Sequence, residues 1–172
     1  MPLFRLLQLS SSTLPVGGYS YSSGLESAVE KGWIKSSSHL KEWLIVQMTD
    51  SLSLLDLPII LFQMSTLNSH GDEHKLRFWN QYILASRETK ELRLTEVEMG
   101  RAISRLLDRL GVDTPLKTLG EPTFITGFAA AATAWRIQAT LAASGYLWSW
   151  LENQIMAAIK TMRFGQSDAQ EL

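Results

Sequence analysis

One run in this chain spells a catalytic metal string: His70-Gly71-Asp72-Glu73-His74. Two imidazoles four residues apart can share a helix face and hold zinc, with the intervening glutamate as a base. That chemistry needs continuous helix through both histidines. Here Asn68 and Ser69 precede His70 and Gly71 follows it, so His70 falls before the helix begins. The residues therefore read as a polar loop feeding a helix, with Asp72 and Glu73 near its positive end. A helical metal-dependent hydrolase using His70, Glu73 and His74 stands as the alternative. Incidental nickel or zinc at His70 and His74 is a weaker variant, since imidazole suits both ions. His39 follows a serine run and reads as a helix-start residue. No G-x-S-x-G elbow accompanies any serine, histidine and aspartate set. Asp56, Glu88, Glu91, Glu96 and Glu98 could pair as carboxylates, but they read as helix-surface charge.

The second chemical candidate is glycine-rich: Leu14-Pro15-Val16-Gly17-Gly18-Tyr19-Ser20-Tyr21-Ser22-Ser23-Gly24-Leu25-Glu26. A phosphate cradle of the P-loop type needs lysine and a hydroxyl directly after its last glycine. Gly24 is followed by Leu25 and Glu26, so this chain is not expected to bind GTP or ATP in that manner. The stretch reads instead as a rigid turn at Pro15 and two permissive glycines. A helix then begins near Gly24, with Ser23 and Glu26 at the spacing of a capping box. A third candidate, Arg87-Glu88-Thr89-Lys90-Glu91-Leu92-Arg93, alternates acid and base. By itself it reads as a solvated helix start with an i,i+4 pair of Arg87 and Glu91. Such exposed pairs contribute about 0.3–0.5 kcal/mol each.

The totals bound the rest. A chain of 172 residues suggests one domain, over residues 1–172. A domain of this size buries roughly 70% of its unfolded surface without a covalent staple. It has no cysteine, which removes disulfides, thiolate metal sites and cysteine nucleophiles together. Its net charge of −1 matches neither a basic nucleic-acid binder nor a polybasic membrane anchor. The most apolar region, 124–159, is interrupted by Arg136, Gln138, Gly145 and Glu152, and reads as buried helix.

The elements that must position these residues are all helical in period. Helix is predicted over 3–9, after the glycine stretch to a stop at Gly32, and from the Ser36-Ser37-Ser38 caps onward. A fresh start is predicted at Asp56 and Pro58. The clearest amphipathic helix spans 88–110, its stripe made by Leu92, Met99, Ala102, Ile103, Leu106 and Leu110. Its solvated side carries the i,i+3 pairs Glu98–Arg101 and Arg105–Asp108. Alanine-rich helix over 124–134 and a last helix over 146–162 follow a Pro- and Gly-containing linker. No alternating run argues for a strand. The expected class is all-α, a single-domain bundle of about eight to ten helices. Part of the nearly uncharged 124–150 region, with its tryptophans, could be an intersubunit face.

Three blocks then carry a resemblance. The glycine stretch with Leu6-Leu7-Gln8-Leu9-Ser10 before it, the 87–93 block, and Phe164-Gly165-Gln166-Ser167-Asp168-Ala169-Gln170 resemble, in order, the motifs of the UreF urease accessory family. The resemblance implies an all-α, non-enzymatic, cytoplasmic protein that forms a homodimer. It implies partners UreD (UreH in some organisms), the GTPase UreG and apo-urease, with neither nucleic acid nor membrane. It implies no cofactor of its own, because nickel and GTP are handled by the assembled complex. The motif positions it carries over are Pro15, Gly17, Gly18, Tyr19, Ser20, Gly24 and Glu26; Arg87, Glu88, Glu91 and Arg93; and Gly165, Gln166, Asp168 and Gln170. They come as interface or structural positions, not catalytic ones, and the resemblance shifts the 87–93 block toward a partner-docking surface. A GTPase-regulating role has also been suggested for the family. Ala169 stands where the third motif often has glycine. Family members continue past the position of Leu172 into a C-terminal tail, which this sequence is expected to lack.

Overall fold

A computed structural model describes residues 1–18, 21–69 and 72–162. The centre of the fold is the alanine-rich helix. Past Phe128 it is mostly alanine, which leaves little side-chain bulk there, so neighbouring helices can close on it. The α-helices in chain order are α1 (Pro2–Leu9), α2 (Leu25–Glu30), α3 (Ser37–Val46), α4 (Leu57–Asn68), α5 (Glu73–Ser86), α6 (Lys90–Arg109), α7 (Phe124–Ala134) and α8 (Ala139–Met162). A short 3₁₀ turn, Pro115–Leu119, leads into α7. The expected all-α class is what the described residues form.

α7 is buried along its length from Phe124 through Ala132, with α4 and α6 as its most extensive neighbours. Two glycines set the α6–α7 approach. A Cβ on Gly127 would overlap Ile103 of α6, and one on Gly100 of α6 would overlap the backbone carbonyl of Pro122, just before α7. The main core gathers Ile59, Ile60 and Met64 of α4, Ile103 and Leu107 of α6, and Phe128 of α7. A smaller core joins Leu25 and Ala28 of α2, Leu40 and Leu44 of α3, and Ala157 and Ala158 of α8, and Trp150 packs against both.

Several local expectations are met and several are corrected. Ser36 caps α3, its Oγ accepting from the His39 N–H. Gly32 ends α2 with φ +72°. Asp72 caps α5, accepting from the Lys75 N–H at 3.1 Å. That hydrogen bond, the first cause, holds the exposed Asp72 carboxyl below its ordinary pKa.

The capping box at Ser23 and Glu26 does not form. Gly24, at φ +91°, is the N-cap residue and Ser22 Oγ meets the Glu26 N–H instead. No break occurs at Asp56. α3 and α4 are one rod, Ser37–Asn68, joined by π-helix over Gln47–Asp56. The wider register lets Leu57 donate to Leu52, so the chain passes Pro58, which has no N–H to give, without stopping. Counted with that rod as one, the described helices are seven, slightly fewer than expected. By length and composition the rod could cross a membrane, yet its buried Ile59, Ile60, Gln63 and Met64 pack into the core. α6 begins at Lys90 under a Thr89 cap. Arg101 meets Glu98 as expected, but Asp108 pairs with Lys117 rather than Arg105. Residues 124–132 are interior to this chain, so they are no intersubunit face.

Candidate functional site

The first turn of any helix leaves backbone N–H groups without helical partners. Here the start of α7 is buried, so those donors must find side chains. Thr123 caps it, its Oγ1 accepting from the Thr126 N–H at 3.2 Å. Asn80 of α5 accepts from the Thr123 N–H at 2.8 Å and donates to the Glu121 carbonyl at 2.9 Å. Glu96 of α6 accepts from the Ile125 N–H at 3.0 Å. A carboxylate there also meets the positive end of the helix dipole.

Glu96 is thereby drawn inside, and a buried carboxylate needs a counter-charge. Arg87 supplies it. This residue is the C-cap of α5, with extended backbone (φ −77°, ψ 120°), which lets its side chain turn away from the helix and inward. Its guanidinium donates to Glu96 Oε2 from Nε at 3.2 Å and from a terminal nitrogen at 2.9 Å. The other edge makes a fork with Asp56, at 2.9 and 3.1 Å. Tyr146 of α8 donates its hydroxyl to Asp56 Oδ2 at 2.7 Å. The side chains of Arg87, Asp56 and Glu96 are only 13%, 1% and 9% exposed. One guanidinium therefore ties the end of the π segment, the α5–α6 junction, α6 and α8 to the start of α7.

Burial opposes the charge on Arg87, but the Glu96 and Asp56 carboxylates outweigh it and hold its pKa above the ordinary value. Burial, and then the same carboxylates, push the Tyr146 hydroxyl well above its usual range, so it remains a proton donor. Tyr146→Phe removes a hydrogen bond to a charged acceptor and is expected to cost about 1.5–3 kcal/mol in denaturant unfolding. It also has a pH signature. Tyr146 holds its proton more tightly folded than unfolded, where tyrosine titrates near about 10. Its contribution is therefore complete below that pH and is lost as pH rises toward the folded-state value. Stability should fall above about pH 10 in the native sequence, and less steeply in Tyr146→Phe.

A cavity of about 160 Å³ opens beside this cluster. Gly18, Tyr21 and Ser23 from the glycine stretch line one side, and Arg87, Glu88 and Leu92 from the charged block line another. Two sequence blocks far apart in the chain thus meet at one site. α8 completes it with Ser149, Asn153 and Gln154.

Of the other expected positions, Pro15 and Glu26 are exposed, while Gly17 takes φ +78°. Glu88, Glu91 and Arg93 are exposed around the start of α6. Arg87 does not pair with Glu91 as its spacing suggested; it faces the interior. Tyr19, Ser20, Gly165, Gln166, Asp168 and Gln170 lie outside the described residues, as does His70. Glu73 and His74 are exposed on the first turn of α5. Among the described residues no group of three histidine, aspartate or glutamate side chains could hold a metal.

Sequence reasoning placed Asp56 and Glu96 on the surface, and both are buried. A signal for Glu96 was available, because it lies on the α6 stripe between Leu92 and Gly100, where a carboxylate must find partners. Nothing comparable marked Tyr146 or Asp56.

Away from the cavity, α4 and α5 present an aromatic row to solvent. Phe62 stacks on Trp79 with centroids 4.9 Å apart, and Phe78 and Tyr82 meet the same indole at 5.0 and 5.7 Å. Phe62, Phe78 and Tyr82 are all about half exposed. Grouped exposed aromatics of this kind are characteristic of protein-contacting surfaces.

Comparison with known proteins bears on all of this. The UreF family model matches residues 34–172. Urease accessory protein UreF of Marinomonas sp. (strain MWYL1) is 47% identical over 170 residues, covering 99% of this chain and 74% of its own length. The proteins of the same name from Azoarcus sp. (strain BH72) and Pseudomonas entomophila (strain L48) are 43% and 41% identical, each across 100% of this chain and 76% and 77% of their own lengths. The glycine stretch precedes the region matched by the family model but lies within these alignments. The hydrolase reading of His70, Glu73 and His74 is set aside in their favour. The chain belongs to the UreF family of urease accessory proteins, a family of accessory proteins and not of catalytic enzymes.

Proposed function

We propose that this chain acts as a scaffold in GTP-dependent nickel insertion into apo-urease, bridging UreD (or UreH) and the GTPase UreG. The observation that carries the reading is the 47% identity, across 99% of the chain, to a protein named for urease accessory function. In this reading the protein works as a homodimer in the cytoplasm and offers shaped surfaces to its partners. Nickel and GTP are cargo and fuel of the assembly, and the chain needs no cofactor of its own. The exposed aromatic row on α4 and α5 supports a partner-binding role, because such a surface gains most from being covered. Exposed Glu88, Glu91 and Arg93 suit electrostatic steering and register. Pro15, Gly17, Gly18, Tyr19, Ser20, Gly24 and Glu26, and Gly165, Gln166, Asp168 and Gln170, are assigned to the same partner-facing role.

The test is reconstitution. Apo-urease, UreD or UreH, UreG, nickel, bicarbonate and GTP are combined with and without this protein, and urease activity is followed. Activation that depends on the added chain supports the scaffold. Equal activation in its absence removes it. A second reading, regulation of the partner GTPase, is favoured by the clustering of Glu88, Glu91 and Arg93 on one exposed helix start. Its check is UreG turnover of GTP in the assembled complex with all three replaced by alanine. An unchanged rate in that complex rules it out.

A further inference from the structure

The cavity beside the Arg87 cluster has two properties that point the same way. Its wall carries the carboxylates of Asp56, Glu88 and Glu96 against the single guanidinium of Arg87, an excess of negative charge. It is also lined by Gln154, a residue only 1% exposed, whose Oε1 is buried without a hydrogen-bond partner among the described residues. An acceptor left in that state costs about 1–3 kcal/mol. Both features ask for a ligand that donates hydrogen bonds and carries positive charge.

The inner carboxylates are engaged by the protein but not exhausted. Among the described residues, Asp56 Oδ2 accepts from Arg87 and Tyr146, while Asp56 Oδ1 accepts only from Arg87 and Glu96 Oε1 only from Ile125. A carbonyl or carboxylate oxygen has two lone pairs, so each of these last two can take another donor. The hydroxyls of Ser51, Thr95 and Ser149 add further acceptors on the wall. At about 160 Å³ the space exceeds the roughly 30 Å³ share of one water several-fold. An anion would face the excess of carboxylates. A divalent cation would find no three converging histidine, aspartate or glutamate ligands among the described residues.

We propose that this cavity is a binding site for a guanidinium-type organic cation, a planar group with several N–H donors, one of which pairs with Gln154 Oε1. The group comes either as a free small molecule or as the tip of an arginine side chain from another chain. The proposal does not rest on the scaffold role and does not need partner proteins to be tested.

The experiment uses the whole chain, labelled with ¹⁵N, and titrates it with methylguanidinium. The Gln154 and Asn153 side-chain amide resonances should shift saturably, and acetate should leave them unmoved. Gln154→Met keeps the volume and removes the acceptor, so it should weaken binding about tenfold or more. Gln63→Met is the control. Gln63 also has a buried Oε1 without a partner but does not line the cavity, so this variant should bind as the native chain does. Should Gln154→Met fold poorly, Glu88→Gln tests the charge requirement at an exposed wall residue instead, and should weaken methylguanidinium without disturbing the buried cluster.

A second arm titrates a short peptide with one internal arginine. Binding at least as tight as methylguanidinium assigns the site to a side chain, and exclusion of the peptide assigns it to a free molecule. The proposal is overturned if methylguanidinium gives no saturable shift, if Gln154→Met binds it as well as the native chain, or if a crystal soaked with it shows only water on Gln154 Oε1.

Discussion

Arg87→Met is expected to lower the unfolding free energy by about 3–5 kcal/mol. Most of that loss is not the value of two ion pairs. It is the cost of leaving the Asp56 and Glu96 carboxylates inside the protein with no cation between them. Domains of ordinary stability hold about 5–15 kcal/mol in total, so a shift of this size should be plain as a lower denaturant midpoint. The origin of the loss can be separated from packing. In a triple variant carrying Arg87→Met, Asp56→Asn and Glu96→Gln, the stranded charges are gone, while the amide carbonyl introduced on α6 could still accept from the Ile125 N–H. That variant should recover much of the stability that Arg87→Met loses. If it is no more stable than Arg87→Met alone, the cluster is not held together by charge compensation. Arg87→Lys should fall between, because an ammonium cannot reproduce a planar fork that serves two carboxylates at once.

Gly100→Ala is the second large effect. A methyl group here meets the carbonyl oxygen and carbon of Pro122 and the carbonyl carbon of Thr123, all backbone atoms. No rotamer change can relieve that overlap, so α6 must move away from the start of α7. The displacement would reach the Glu96–Ile125 hydrogen bond, one turn away on the same helix. A destabilisation of about 3 kcal/mol is expected, at the high end for overpacking. Gly127→Ala is the informative comparison. Its added methyl meets only the Ile103 side chain, which can shift in part, so its cost should be smaller. Thermal or denaturant melts of the two variants, made side by side, check the order. Equal costs would mean that the close backbone approach at Gly100 is not what limits the α6–α7 packing.

Much of the fold was legible from composition and period. The stripe of α6, the alanine run of α7, the Ser36 cap, the acidic start of α5 and the stop at Gly32 are local signals, set by each residue's own conformational and hydrogen-bonding preferences. The all-α class follows from them. Where local signals conflicted with packing, packing decided. Pro58 reads as a helix start in isolation, yet the rod runs through it, because π register and a buried face on α4 hold the helix together.

The site divides along the same line. The sequence alone identified the blocks around Gly17 and around Arg87, and it excluded a P-loop and cysteine chemistry. It also established the family resemblance, since block order and spacing are properties of the chain itself. Only the tertiary structure decided that Arg87 turns inward to join Asp56, Glu96 and Tyr146, and that both blocks share a cavity with Gln154. The physical reason is that a charge's partner is chosen by whichever element folds against it. Asp56 is 31 residues from Arg87 in the chain and Tyr146 is 90 from Asp56, separations over which no spacing rule speaks. Burial then turns what looked like solvated helix charge into a set of mutual dependencies among five elements.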